Sequence, residues 1–421
     1  MKRFYISIIL GMVATLAAHG QTNPPETRAD EIEAQRASKA THLTPDEVTR
    51  VERIVRQARE DHWLDRLSYG FNGFRPKIGN MVTGSGFAIG PEYSRDDLGD
   101  GKYSVDASAQ ISTRGYLKGE AGVGLMKLLN GHSTLSARTM YRNYNSINYY
   151  GPGPDSQKTG RSVYRLEDTS IDLIGTLTPV KHFNLGGSFG KLWSNIGRGD
   201  DDRYISTDVQ FKEATTPGLT RQTGFLRTRT FAQFDTRDNP LGPKSGTNVV
   251  FMESWYSDRD LGQFNFRKTD IEVQQFIPFL NKTRRIALRA KGAFTDPDAG
   301  NRVPFYMQAI LGGSDDLRGF RPFRFYDRNM IVYNAEYQWE VFSGLDGALF
   351  FDAGKVMSNW SDLKFSNLET SAGFGLRFNA RNSTFLRVDV GFSHEGFQVW
   401  FKFNDLFNSR KFATAFAQPL Y

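Results

Sequence analysis

Cysteine is absent from the 421 residues. That excludes disulfides and a lipidated N-terminal cysteine, although it does not by itself fix the compartment. Long apolar runs are missing too. The longest, Phe4 to Ala18, is about 15 residues, short of the ~20 that a spanning helix needs. The six histidines (19, 42, 62, 132, 182 and 394) show no metal-ligand spacing, so no metal and no other cofactor is expected. The net charge of +7 is spread along the chain, and no basic run is interleaved with aromatics, so no nucleic-acid partner is expected. Gly186-Gly187-x-x-Gly190 and Gly84-x-Gly86 do not open a helix after a strand and are not nucleotide loops. Ser393-His394-Glu395 alternate faces on a strand and cannot form a triad by themselves, so no catalytic residues and no enzyme activity are expected.

The positive signals begin at the N-terminus. Met1-Lys2-Arg3, an apolar stretch and Ala18-His19-Gly20 form an export signal over residues 1–20, with cleavage before Gln21. Residues 21–43 are polar, contain Pro24 and Pro25, and read as a linker. Thr44-Pro45-Asp46-Glu47 then reads as a capped helix start. Val48, Val51, Val55 and Ala58 continue it as one amphipathic helix over 45–62.

From about residue 84 the apolar period becomes two. Phe397, Val399, Phe401 and Phe403 share one face of the last strand; Gln398, Trp400, Lys402 and Asn404 share the other. Leu386, Val388, Val390 and Phe392 alternate with Arg387, Asp389, Gly391 and Ser393. Strands are expected at 84–94, 103–114, 117–127, 132–146, 163–177, 181–193, 203–213, 224–235, 247–257, 264–277, 284–295, 330–341, 346–355, 370–378, 384–393 and 396–404. Mean hydropathy is −0.48 despite 34 Phe and 17 Tyr, as expected when a charged lumen face and an apolar lipid face alternate. The fold class is all-β. Alternation also suits a secreted sandwich, but the export signal, the bulky aromatics near strand ends and the need to leave no unpaired edge in hydrocarbon favour a transmembrane antiparallel barrel of sixteen strands over 84–405, preceded by a short periplasmic segment (21–83) and followed by a tail at 406–421. An even strand number puts both barrel ends on the periplasmic side. On this count, the Gly/Pro-rich 147–162 loop is periplasmic and the tight Thr178-Pro179-Val180 turn external, the reverse of the usual loop lengths.

The most distinctive stretch is Gly312-Gly313-Ser314-Asp315-Asp316-Leu317-Arg318-Gly319-Phe320, inside the long polar segment 296–329. Leu317-Arg318-Gly319-Phe320 resembles the lumen-loop tip of the BamA/TamA superfamily, the bacterial surface antigen family. Phe350-x-Asp352-x-Gly354 resembles the strand motif that receives that tip. Asp235-Thr236-Arg237-Asp238-Asn239-Pro240, with Pro243 and Gly246, is similar to the family's mid-barrel periplasmic turn, and Ser371-Ala372-Gly373-Phe374-Gly375-Leu376-Arg377 to its third-last strand. Tyr149-Tyr150-Gly151-Pro152-Gly153-Pro154-Asp155-Ser156 is similar to a weaker motif of some branches. Strand parity places Phe350, Asp352, Gly354 and Glu336 toward the lumen. The resemblance implies that the loop tip packs there, with Arg318 pairing Asp352 first and Glu336 second. It also implies a seam between the first strand, with Gly84, Gly86 and Gly90, and the last, with Phe401 and Phe403. Those glycines either weaken the seam or merely relieve crowding.

Family members carry periplasmic POTRA domains, and the sixty or so residues before the barrel leave no room for one. The implied function is insertion or translocation of proteins or lipids at the outer membrane of a Gram-negative bacterium. Its partners would be outer-membrane lipid, client outer-membrane or secreted proteins, and a periplasmic partner in place of the missing domains. The alternative is a structural or pore-forming barrel that kept the architecture without the machinery.

Overall fold

The computed structural model describes residues 28–41, 71–79, 81–240, 242–280, 283–380 and 383–403. The expected export signal, the helix at 45–62 and the tail at 406–421 lie outside the described residues. The chain divides into two compact units at Arg53/Ile54.

The first unit holds one described helix, α1 (Arg28–Thr41), where a linker was expected. Ala29, Ala34, Ala37 and Ala40, with Glu31, Glu33, Gln35, Arg36 and Lys39, are strong helix formers, and no Gly or Pro interrupts them. Ile32, its one large apolar side chain, is exposed. Intrinsic propensity rather than an apolar face makes this helix, which is why apolar periodicity does not reveal it.

The second unit is one antiparallel sheet of sixteen strands in chain order. The strands are β1 (Phe74–Gly79), β2 (Ala88–Asp97), β3 (Tyr103–Ser112), β4 (Leu117–Leu128), β5 (Ser133–Tyr149), β6 (Ser162–Val180), β7 (Phe183–Arg198), β8 (Gly224–Asp235), β9 (Gly246–Asp258), β10 (Phe266–Phe279) and β11 (Arg284–Pro297). Two short strands, β12 (Ala309–Leu311) and β13 (Phe325–Asp327), pair with each other inside the loop that follows. The wall resumes with β14 (Asn329–Phe342), β15 (Leu345–Met357), β16 (Glu369–Ala380), β17 (Ser383–Ser393) and β18 (Gly396–Lys402). Leu349, Phe351, Phe374, Phe397, Val399 and Phe401 face outward and are exposed, while Glu336, Asp352, Arg377, Arg387 and Asp389 point inward and are buried. This is the inverse of the usual inside-outside distribution of a water-soluble fold. No described helix is long and apolar enough to cross a membrane.

Two strands differ from the expected set. Phe74–Gly79 is the first strand, and the expected strand at 84–94 divides between the β1–β2 connection and β2. Pro76, Arg75 and Lys77 disguise β1. Proline is tolerated because β1 is an edge strand, where it lies opposite Pro91. The expected strand at 203–213 is instead a loop with a one-turn helix, Thr207–Gln210. Its residues alternate convincingly, but instead of joining the wall they pack on the loop ends of β5 and β6: the Val163 amide donates to the Ile205 carbonyl at 3.0 Å, and the Phe211 ring meets Tyr149.

One strand gained and one lost keep the total at sixteen but flip the sidedness of every hairpin between them. The 150–161 loop now joins the loops at 199–223, 259–265, 298–328 and 358–368 at one end. The turns at 181–182 and 343–344 and the β8–β9 connection lie at the other end, with the start of β1 and the end of β18. The mismatch of loop lengths disappears.

The expected seam changes as well. β2 lies between β1 and β3, so residues 88–97 cannot pair with β18. In the strand order of the described residues, β18 has β17 alone as its ladder neighbour. Phe403 reaches the opposite edge through the Phe87 ring at 5.5 Å. Gly84 and Gly86 serve the β1–β2 connection at φ +78 and +76. Gly90 serves close approach instead, since a Cβ there would fall 1.7 Å from the Ala109 carbonyl oxygen. Gly90→Val should therefore cost about 1–3 kcal/mol, as overpacking does. Gly175→Ala, where a Cβ meets nothing within 4 Å, should cost far less. Urea unfolding of the detergent-folded protein compares the two; equal midpoints would refute the steric assignment.

Candidate functional site

The β11–β14 loop turns back into the barrel instead of projecting from it. Gly312 and Gly313, at φ +108 and +115, make the sharp turn that only glycine adopts readily. Leu317 and Phe320, fully buried, then pack with Leu311, Phe325, Met330, Val332 and Val356. Between those two anchors the chain carries Arg318 into contact with the wall.

Arg318 is fully buried and its donors are taken up by carboxylates. Its Nη2 donates to Asp352 Oδ1 at 2.7 Å, and its Nε to Asp352 Oδ2 at 3.0 Å. Its backbone amide adds a third bond to Asp352, at 3.1 Å, and Nη1 reaches Glu336 Oε2 at 2.7 Å. The guanidinium carbon lies 3.4 Å from the centroid of the Phe350 ring, a cation–π contact. Burial opposes the charge, but Asp352 and Glu336 outweigh it, and the pKa of Arg318 is raised. The planar fork matches the carboxylate in a way that a lysine ammonium cannot.

The network extends beyond the sequence expectation. Arg377 donates to Glu336 Oε1 at 2.7 Å and to Asp389 Oδ1 at 2.6 Å. Arg387 Nε lies 3.0 Å from Asp389 Oδ2, and its Nη2 donates to the Ser314 carbonyl at 2.7 Å. Three guanidiniums (Arg318, Arg377, Arg387) and three carboxylates (Glu336, Asp352, Asp389) thus form a neutral cluster with every side chain fully buried. Asn334 and Ser371 complete the shell of Asp352, at 2.8 and 3.1 Å. The signal for the missed members was present: Arg387 and Asp389 alternate with an apolar set on their strand, and Arg377 closes a motif quoted for other reasons.

Backbone contacts hold the tip as firmly as charge does. Trp400 Nε1 donates to the Arg318 carbonyl at 2.7 Å, and Ser393 Oγ to the Gly319 carbonyl at 2.8 Å. Gly319 and Gly391 permit this approach. A Cβ on Gly319 would fall 2.6 Å from the Phe392 carbonyl oxygen, and one on Gly391 2.4 Å from that of Arg318. Gly354 plays the same part in the wall, 2.7 Å from the Ile331 carbonyl oxygen. Lys402 on β18 donates to Asp315 at 3.0 Å. Arg289 on β11 donates to the Asp315 carbonyl at 2.9 Å, and the Ser314 amide donates to Thr83 Oγ1 at 3.0 Å. The loop tip therefore touches six consecutive strands of the wall, β11 and β14 to β18, and the β1–β2 connection. Phe401 faces outward, Gly84 lies against Pro322 of the same loop, and none of Gly84, Gly86, Gly90, Phe401 and Phe403 contributes a bond to this cluster. The Ser393-His394-Glu395 run is also absorbed by docking: Ser393 holds Gly319, His394 lies 3.4 Å from Glu369, and Glu395 accepts from Arg324 at 2.8 Å. Among the described residues no cluster suits a metal ion.

At the long-loop end the lumen is filled by aromatic rings. Tyr149 packs on Phe305 and Tyr326 at 5.1 and 4.9 Å between centroids, and Tyr164 packs on Phe305 at 4.8 Å. The Gly153 amide donates to the Tyr326 carbonyl at 2.7 Å, joining the 150–161 loop to the inward one.

Residues 131–404 match the Omp85 superfamily domain. The fold is similar to that of BamA from Haemophilus ducreyi lacking POTRA domains 1-3. That match has 13% identity and a TM-score of 0.58, covering 79% of this chain and 69% of the other. It is also similar to CdiB from Escherichia coli, at 14% identity and a TM-score of 0.55, covering 77% of this chain and 61% of that one. No curated protein matches by sequence.

Removing either partner of a buried pair leaves a naked charge, which costs about 3–5 kcal/mol. Arg318→Met and Asp352→Asn should each lower unfolding stability by that order. The double variant should cost less than the sum, because neither leaves the other's charge exposed to a dry interior. Additive losses in urea unfolding would show that the two side chains act independently.

Proposed function

Because the chain belongs to the Omp85 superfamily, we propose that it is a Gram-negative outer-membrane barrel that inserts or translocates proteins or lipids, with a periplasmic partner delivering clients. The outward apolar strands suit acyl chains, and backbone pairing along the whole sheet, broken only between β18 and β1 among the described residues, suits hydrocarbon. The short turns, the start of β1 and the end of β18 would then face the periplasm.

The observation that carries the reading is the loop tip seated on β14–β18 by a neutral six-residue ion cluster. A passive channel has no use for a lumen filled with buried charge pairs and a ring cluster at its mouth. A mobile-edge machine does, since the tip braces the strands nearest the free edge. The packed lumen thus counts against the pore-forming alternative.

Depletion in the source bacterium tests this. Loss of other outer-membrane proteins, or of a particular secreted client, is the expected outcome, and Arg318→Ala should fail to restore it. A change in permeability to small solutes with the protein complement intact would overturn the proposal in favour of a pore.

A further inference from the structure

The β15–β16 loop, 358–368, folds down over the outside of the barrel. Its root is pinned. Ser358 Oγ donates to Asp327 at 2.9 Å, Arg328 Nη2 to Asn359 Oδ1 at 2.9 Å, and Asn329 Nδ2 to the Ser358 carbonyl at 3.1 Å. From there Trp360 crosses β14 and stacks on Phe294 of β11, with centroids 4.1 Å apart and planes 16° from parallel. Phe365 turns back toward Tyr333 of β14, at 6.1 Å. Lys355, on the outward face of β15, donates to the Asp362 carbonyl at 3.1 Å and holds the loop against the wall. Ile331 sits beneath this arrangement, opposite Gly292 and Lys355 in the ladders, and is only 5% exposed although strand parity turns it outward.

The loop covers apolar wall but does not bury its own apolar side chains. Trp360, Leu363 and Phe365 remain 56%, 39% and 75% exposed. Leu349 and Phe351, further along the same outward face of β15, are 52% and 51% exposed. A loop surrounded by water gains by turning such groups inward, since exposed apolar area costs about 25 cal/mol per Å². Tryptophan and phenylalanine at the end of an apolar belt, with Lys364 and Arg328 beside them, suit the boundary between headgroups and acyl chains.

We propose that the 358–368 loop is an interfacial anchor, seating Trp360, Leu363 and Phe365 among outer-leaflet lipids at the level of the headgroup boundary. It deepens the membrane reading above and rests on it. The occupant is lipid because the patch packs on the outward faces of Phe294 and Tyr333, at the long-loop end of the apolar wall.

The absence of cysteine makes the test direct. Single nitroxide labels go on Phe365→Cys, Leu349→Cys and Asp202→Cys in the full chain, reconstituted in phosphatidylethanolamine/phosphatidylglycerol vesicles. Accessibility to oxygen is compared with accessibility to a water-soluble nickel chelate. Position 349 should read as acyl chain and 202 as water. Position 365 should favour oxygen severalfold over 202 while lying shallower than 349, and adding Trp360→Ala should move it toward the aqueous value. If 349 reads as lipid while 365 matches 202, the anchor is refuted and the membrane reading stands. Shielding of 365 from both probes would mean protein cover and refute it equally. If 349 itself reads as water, the membrane reading falls and the anchor falls with it.

Discussion

A guanidinium cannot shed its proton at any ordinary pH, so a fully buried arginine dictates what surrounds it. Arg318 imposes this constraint here. Seating it in the lumen demands carboxylates on the facing strands, and those carboxylates demand further arginines in turn. The result is three cations and three anions spread over the loop tip, β14, β15, β16 and β17. Such a cluster adds little net stability over a well-packed apolar one, because desolvation offsets most of the attraction. What it contributes is a single allowed position for the loop, since any displacement strands charge in a dry interior.

The glycines follow from the same constraint. Gly319 and Gly391 face each other across the contact, each where a methyl group would strike a carbonyl oxygen. Gly312 and Gly313 let the loop reverse direction before it enters. Trp400 and Ser393 then bind the carbonyls that the descending tip carries with it. Packing, charge and backbone bonding converge on β17 and β18, which form the C-terminal edge of the sheet. The tip is thus a brace for the least-supported strands of the wall, which connects a local charge requirement to the behaviour of the whole barrel.

Much of this was legible along the chain. Alternation marked β14, β15, β17 and β18 and the face of each residue on them, because one side meets apolar surroundings and the other meets charge. Parity alone turned Asp352 and Glu336 inward. Other parts were hidden for identifiable reasons. β1 carries Pro76 between Arg75 and Lys77, a composition that breaks apolar alternation and that an edge strand tolerates. Residues 203–213 alternate like a strand, yet their partners are Gly160 in a loop and Tyr149 at the very end of β5. Helix α1 has propensity without an apolar stripe. Those two strand assignments moved the sidedness of half the barrel, since each hairpin inherits its side from the count before it.

The amino-acid sequence by itself determined the all-β alternating wall, the inward and outward faces, and the arginine-bearing loop tip, because period-two patterning and residue chemistry are local properties. Tertiary structure alone decided which strands come first and last, that Arg377, Arg387 and Asp389 join Arg318 in one neutral cluster, and that the 358–368 loop lies along the outer wall. Each of these depends on groups far apart in the chain meeting in space, and neither spacing nor composition specifies such a meeting. The cost of leaving a buried charge unpaired selects the arrangement once the wall has formed.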